Sequence, residues 1–110
     1  LFSHPKCVEH ETGKGHPESP ERLKAVLSGL DEKEFRSLKR RDATIINKSK
    51  INLVHTSEYV ERILDSVPKE GLLSLDADTI VSDESGEASM RAAGAVVDAV
   101  DSVISKEAKR

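Results

Sequence analysis

Four side chains early in the chain, His4, Cys7, His10 and His16, are of the types that hold zinc. Their spacing is His-x-x-Cys-x-x-His with a further histidine six residues on, and no second clustered pair completes a zinc-finger signature. That spacing favours a polar loop shaped by hydrogen bonds over a structural zinc site. Gly13-Lys14-Gly15 lies among them. Glycines ahead of a helix can cradle phosphate, but the Gly-x-x-x-x-Gly-Lys-Ser/Thr order of a P-loop is missing. A loop that needs positive φ is the better reading. A second polar cluster holds Asp76, Asp78, Thr79, Ser82, Asp83 and Ser85. Grouped carboxylates attract hard cations. They also cap helices, and the spacing favours capping and solvation.

These groups hang on elements whose limits the sequence marks. Leu1 to Ser3 reads as the tail of a strand. Residues 4–19 form a loop by composition, with Pro5, Pro17, Gly13 and Gly15 and almost nothing apolar. Ser19-Pro20-Glu21 then predicts a helix start. Serine accepts from a free N–H at the N-cap, proline loses nothing at the first helical position, and glutamate complements the dipole. Leu23, Val26, Leu27 and Leu30 recur at helical spacing and predict one buried stripe, with Gly29 and Asp31 at its end. Residues 32–41 predict a short helix or turn. Ala43-Thr44-Ile45-Ile46 predicts a short buried strand, because β-branched residues favour that state.

Residues 49–55 predict another helical turn. Thr56 or Ser57 caps a second clear helix whose apolar face is Tyr59, Val60, Ile63, Leu64 and Val67, with Pro68 closing it. Residues 69–85 read as a long loop, of a length that is often functional. From about Glu84 to Lys106 runs the longest helix. It carries Ala88, Ala92, Ala95 and Ala99 on one face, with Val96, Val100 and Val103 beside them. Small residues there let a neighbouring backbone come close. The order of elements suits part of an α/β protein.

The chain has 110 residues, with 36% hydrophobic and 34% charged. A typical globular domain has roughly 45–50% apolar residues with glycine included and roughly 25% charged residues, so the core is thin for the length. The pattern is that of outer helices that cover a sheet. The net charge of -3 argues against a dedicated nucleic-acid binder. Lys39-Arg40-Arg41 is set among Asp31, Glu32, Glu34 and Asp42 and reads as a solvated helix end. One cysteine excludes an intrachain disulfide. No stretch approaches the roughly 18 apolar residues of a membrane span, and the opening is polar by residue 3. A soluble cytoplasmic protein with no membrane contact is expected. Leu1 and the run from Ser105 to Arg110 lead us to expect that both ends are cut.

Three segments carry a resemblance to a known family. His16-Pro17-Glu18-Ser19-Pro20-Glu21-Arg22-Leu23 is similar to the "GHPE-x-P-x-R-L" motif of the histone deacetylase and acetylpolyamine amidohydrolase superfamily. His10-Glu11-Thr12-Gly13-Lys14-Gly15 precedes it, as in many bacterial members. Val54-His55-Thr56-Ser57-Glu58-Tyr59-Val60 resembles the family's "H-S-x-x-Y-[IV]" helix start. Asp76-Ala77-Asp78-Thr79, Ser82, Ser85 and Arg91-Ala92-Ala93-Gly94-Ala95 resemble its "D-x-D-T…S-x-x-S…A-A-G" block. The motifs follow in family order and extend from about Ser3 to Asp101.

The resemblance implies an arginase-like, three-layer α/β fold, of which this chain is the N-terminal portion, mostly helical with one or two short strands. Residues 1–110 are then a single incomplete domain. It implies hydrolysis of acetyl-lysine or acetylpolyamine by a zinc-bound water. The family's paired histidines, in a Pro-Gly-His-His context, and its other zinc ligands and tyrosine normally lie further on. Catalytic residues and metal ligands are therefore expected to be missing here, and the chain alone is expected to be inactive and metal-free. Tyr59 lies in the wrong motif to be that tyrosine and is expected in the core.

Arg22 matches the family arginine of the inner product channel, where a cation favours an anionic product. The bland alternative is a helix arginine paired with Glu18 or Glu21. Asp78 and Ser82 fall where family members place a rim residue that accepts a hydrogen bond from the substrate backbone; capping is the alternative for both. His16 and Pro17 are expected to fix the loop that positions Arg22. The alternative function is a truncated, non-catalytic deacetylase-like protein that acts by partner binding. A small zinc-binding domain on the His/Cys loop is a third reading. The sequence carries no signal for the substrate within the acetyl-amide class or for oligomeric state.

Overall fold

Proline, glycine and polar caps divide the chain much as these signals predict. The computed structural model describes residues 1–108. β1 is Phe2–Ser3, followed by a 3-10 turn at Pro5–Val8. Next come α1 (Pro20–Gly29), a 3-10 turn (Lys33–Phe35), β2 (Arg41–Asp42) and α2 (Lys48–Ile51). The second half holds α3 (Ser57–Asp65), β3 (Leu72–Ser74), β4 (Ile80–Ser82) and α4 (Ser85–Ile104). β1 and β2 pair in parallel, Phe2 opposite Arg41 and Ser3 opposite Asp42. β3 and β4 form an antiparallel hairpin with Leu73 opposite Val81.

The parallel pair is held on α4. Ala43 N–H donates to the Ser3 carbonyl at 2.8 Å, and there the ladder stops. Ala43–Ile46 is not the strand its β-branched residues predict. The Asp98 carboxylate takes the Thr44 N–H at 2.8 Å and its hydroxyl at 3.0 Å. The Ile46 N–H donates to the Met90 carbonyl at 3.2 Å. Backbone donors used by a helix cannot serve a sheet. Arg91 adds a bond from Nη1 to the Ala43 carbonyl at 2.8 Å and an ion pair to Glu87 at 3.0 Å.

Residues 69–85 are not one loop, because they contain the β3–β4 hairpin. Its turn is built by Asp76, whose Oδ1 accepts from the Asp78 N–H at 2.8 Å and Oδ2 from the Thr79 hydroxyl at 3.0 Å. The Leu75 N–H closes the turn onto the Thr79 carbonyl at 2.8 Å. An aspartate that bonds the N–H two residues on is an Asx-turn.

Helix caps fall as expected at Thr56, whose hydroxyl accepts from the Tyr59 N–H at 3.3 Å. Ser19 sits at the N-cap of α1 but makes no side-chain cap bond. The Glu21 N–H foremost, and then the Ser19 hydroxyl, favour the charged Glu21 carboxylate and lower its pKa from the usual range.

The core is small. Ala43, Ile46, Val60, Val81 and Ala88 are the buried hydrophobics among the described residues. Two predicted faces differ from expectation. Val26 is 57% exposed, so the α1 stripe is buried only in part. On α4, Ala88, Gly94 and Ser102 are buried, whereas Val96 (65% exposed), Val100 and Val103 face outward with nothing over them. Helix periodicity marks which residues share a face; it does not say whether a partner lies against that face.

Candidate functional site

Arg22 projects from the first turn of α1, at the wall of an open groove of about 860 Å³. The groove runs between α1, α3 and the first half of α4, and Leu23, Val26, Ile63, Leu64, Val81 and Ala92 make much of its surface. Tyr59 also lines it and is 43% exposed, not in the core. Its ring stacks on His55 at 5.4 Å between centroids and lies under the Arg62 guanidinium. The helical stripe of α3 therefore faces the groove.

The Arg22 guanidinium is exposed and donates from Nη1 to the Pro17 carbonyl at 3.5 Å. No carboxylate lies within ion-pair distance of it among the described residues, while Glu21 pairs with Lys24 at 3.6 Å. Pairing of Arg22 with Glu18 or Glu21 is thus not what the structure has.

His16 is the junction between the loop ahead of α1 and the hairpin. Its Nδ1 faces two groups of one residue, the Glu18 N–H at 3.1 Å and the Glu18 carbonyl at 3.0 Å. A neutral imidazole that accepts at one nitrogen carries its proton on the other. With the proton on Nε2 the ring makes two bonds, accepting from the Glu18 N–H and donating to the Asp78 carbonyl at 3.2 Å. With it on Nδ1 only the Glu18 carbonyl is served, so the Nε2–H form is the one assigned. Thr12, fully buried, adds a hydroxyl bond to the Glu18 carbonyl. Pro17 is exposed and gives the carbonyl that meets Arg22.

Asp78 and Ser82 are separated by the hairpin. Asp78 is exposed near the tip. Ser82 is 2% exposed, and its hydroxyl accepts from the Glu11 N–H at 3.1 Å and lies 3.1 Å from Ser85 Oγ. Ser85 Oγ also accepts from the Ser82 N–H at 2.7 Å and meets His10 Nδ1 at 2.6 Å. The chain Glu11 N–H, Ser82, Ser85, His10 pins the first loop to the start of α4. Thr12, His10 and Ser85 are residues whose joint role the sequence did not reveal. The serine spacing of three marks a turn before a helix, but nothing in it points to a histidine 75 residues away.

The His/Cys set is not gathered. His4 Nδ1 accepts from the Lys6 N–H at 3.2 Å. The Cys7 thiol lies 3.8 Å from the Ala88 carbonyl, and burial pushes its pKa up. Lys6 bridges Glu84 at 2.7 Å and Glu9 at 2.8 Å, and those carboxylates, Glu84 foremost, hold its ammonium charged well beyond the usual range. Among the described residues, no three His, Cys, Asp or Glu side chains come together as a metal site. Also among them, no helix is long and apolar enough to cross a membrane.

The family model that matches this chain is that of the histone deacetylase domain, over residues 16–110. The chain belongs to that family. It is 32% identical over 80 residues to type-2 histone deacetylase 1 of Dictyostelium discoideum, a match that takes in 70% of this chain and 5% of that protein. It is 34% identical over 103 residues to an uncharacterized protein of a Synechocystis species, across 90% of this chain and 34% of that protein. The crystal structure of the HD domain of HDA15 superposes on all of this chain with a TM-score of 0.86, at 25% identity and over 34% of its own length. The fold is therefore that of part of a deacetylase domain. The chain spans about a third or less of the relatives it matches.

Proposed function

We propose that this chain is one segment of a zinc-dependent deacetylase that releases acetate from acetyl-lysine or an acetylpolyamine. The supporting observation is Arg22: a guanidinium with no carboxylate partner among the described residues, on the wall of an apolar groove, in a member of the deacetylase family. A cation so placed favours an anion such as acetate. Asp78, exposed at the hairpin tip, is the better candidate for the rim carboxylate that accepts from the substrate backbone, since Ser82 is buried and already bonded. Among the described residues no three His, Cys, Asp or Glu side chains come together that could hold zinc. In this reading its ligands belong to the Pro-Gly-His-His stretch and later segments that the family resemblance implies.

The test uses the product of the whole gene, assayed for acetate release from an acetyl-lysine peptide and from an acetylpolyamine, before and after chelation and zinc re-addition. Zinc-dependent release is expected, and Arg22→Ala should lower kcat about 10- to 100-fold, the scale of one lost charged hydrogen bond. No release from either substrate would overturn the reading. The open groove also favours the alternative of a non-catalytic, partner-binding protein, for which the gene would lack those histidines.

A further inference from the structure

We infer that His16 is a positioning residue that sets the rim carboxylate of Asp78 by holding the hairpin tip through its backbone. This rests on the deacetylase reading above and deepens it. The two residues are 62 positions apart, on the loop ahead of α1 and on the β3–β4 turn. The single side chain makes two bonds of different reach. The Nδ1 bond to the Glu18 N–H at 3.1 Å is local and shapes the loop that leads to Arg22. The Nε2 bond to the Asp78 carbonyl at 3.2 Å is the long-range one.

β4 is anchored by buried Val81 and Ser82, but the tip of the hairpin lies beyond that anchor. Leu72, Leu73, Ser74, Asp76, Ala77, Asp78 and Thr79 are exposed, so apolar burial does little to fix the tip. Its internal order comes from Asp76, which fixes the shape of the turn but not its place on the molecule. A local turn moves as a unit unless something outside it binds. His16 supplies that bond at the residue whose carboxylate the substrate would meet. Arg22 and Asp78 are thereby referred to one imidazole, which fixes the channel cation and the rim anion relative to each other.

Two substitutions in the product of the whole gene separate the bonds. His16→Asn keeps an acceptor near Nδ1 for the Glu18 N–H but falls short of Asp78. His16→Gln places an amide N–H near the position of Nε2 and restores the reach. For an acetyl-lysine peptide, His16→Asn should raise KM about fivefold, as expected for one lost neutral hydrogen bond, with kcat within about twofold of the parent. His16→Gln should recover most of the loss. His16→Asn placed on Asp78→Ala should add nothing further, because the carboxylate it positions is gone. Amide hydrogen exchange at residues 75–79 should quicken in His16→Asn and slow again in His16→Gln.

A parent-like KM in His16→Asn, or full additivity with Asp78→Ala, overturns the inference. If the parent product releases no acetate, the deacetylase reading falls. The exchange rates then still decide the bridge, and unchanged protection at the tip in His16→Asn overturns it.

Discussion

Gly94 shows how one missing methyl sets the path of a backbone. A Cβ there would lie 1.8 Å from the Thr44 carbonyl oxygen and 2.9 Å from its carbon. Those atoms are main chain of a residue tied to Asp98 through its N–H and hydroxyl, so they cannot turn aside as a side-chain tip could. Alanine is the better helix former by about 1 kcal/mol, yet overpacking costs about 1–3 kcal/mol even where side chains give way. Gly94→Ala should therefore lower stability by about 1–3 kcal/mol in urea unfolding. Gly29, also helical, has nothing within 4 Å of such a Cβ. Gly29→Ala should be neutral or stabilising, and equal effects at both sites would refute the close approach. At Cys7 the chemistry follows from burial, which pushes the thiol pKa up. Its thiolate fraction at neutral pH is then below that of a free cysteine, and thiolate is the reactive form. Alkylation by iodoacetamide should be slower than for a model thiol and should accelerate only above the usual thiol range. A fast reaction at neutral pH would place Cys7 in a different environment.

The hairpin is the element whose order depends most on one carboxylate. The Asp78 N–H first, and then the Thr79 hydroxyl, hold Asp76 below the usual carboxylate range. A depressed folded pKa stabilises the turn fully above the unfolded value, and that contribution is lost as pH falls through the lowered one. NMR titration of Asp76 should give a midpoint below about 3.9, the ordinary aspartate value, with the Asp78 and Thr79 amides moving in step. Asp76→Asn keeps the acceptor for the Asp78 N–H and should retain amide protection at Leu75, while Asp76→Ala should lose it. The same element marks the limit of what the sequence made legible. Helices α1, α3 and α4 were readable because caps and 3.6-residue periodicity are local signals. The hairpin was not, since Leu72-Leu73-Ser74 does not alternate cleanly and its pairing depends on the turn at Asp76, which reads equally well as a helix cap. Ala43–Ile46 misled for the opposite reason. Its strand propensity is real, but Asp98 and the Met90 carbonyl claim its donors from 54 and 44 residues away. At the site, the three motifs were visible, whereas the His16–Asp78 and His10–Ser85 bonds that join them are long-range pairings that no local pattern announces.

At the scale of the molecule, surface area says what composition only hints. A compact monomer of 12.0 kDa exposes about 6,000 Å²; this one exposes 8078 Å². Its radius of gyration is 15.4 Å, against about 13 Å for a compact chain of this length. The excess of about 2,000 Å² is on the scale of an obligate interface. It includes the groove lined by Leu23, Val26, Tyr59 and Ile63 and the bare outer face of α4 at Val96, Val100 and Val103. A family in which this segment spans about a third of the fold provides a reason for such faces, because helices of an α/β protein bury their apolar sides on a sheet. Apolar faces left open in this way reduce the burial that offsets chain entropy. The 110 residues in isolation should accordingly bind the dye ANS strongly and melt over a broad range, whereas the product of the whole gene should bind little dye and unfold sharply. A sharp, dye-free transition in the isolated segment would mean that its apolar faces are satisfied by their own contacts, and the groove beside Arg22 would then not be a surface shaped to be covered.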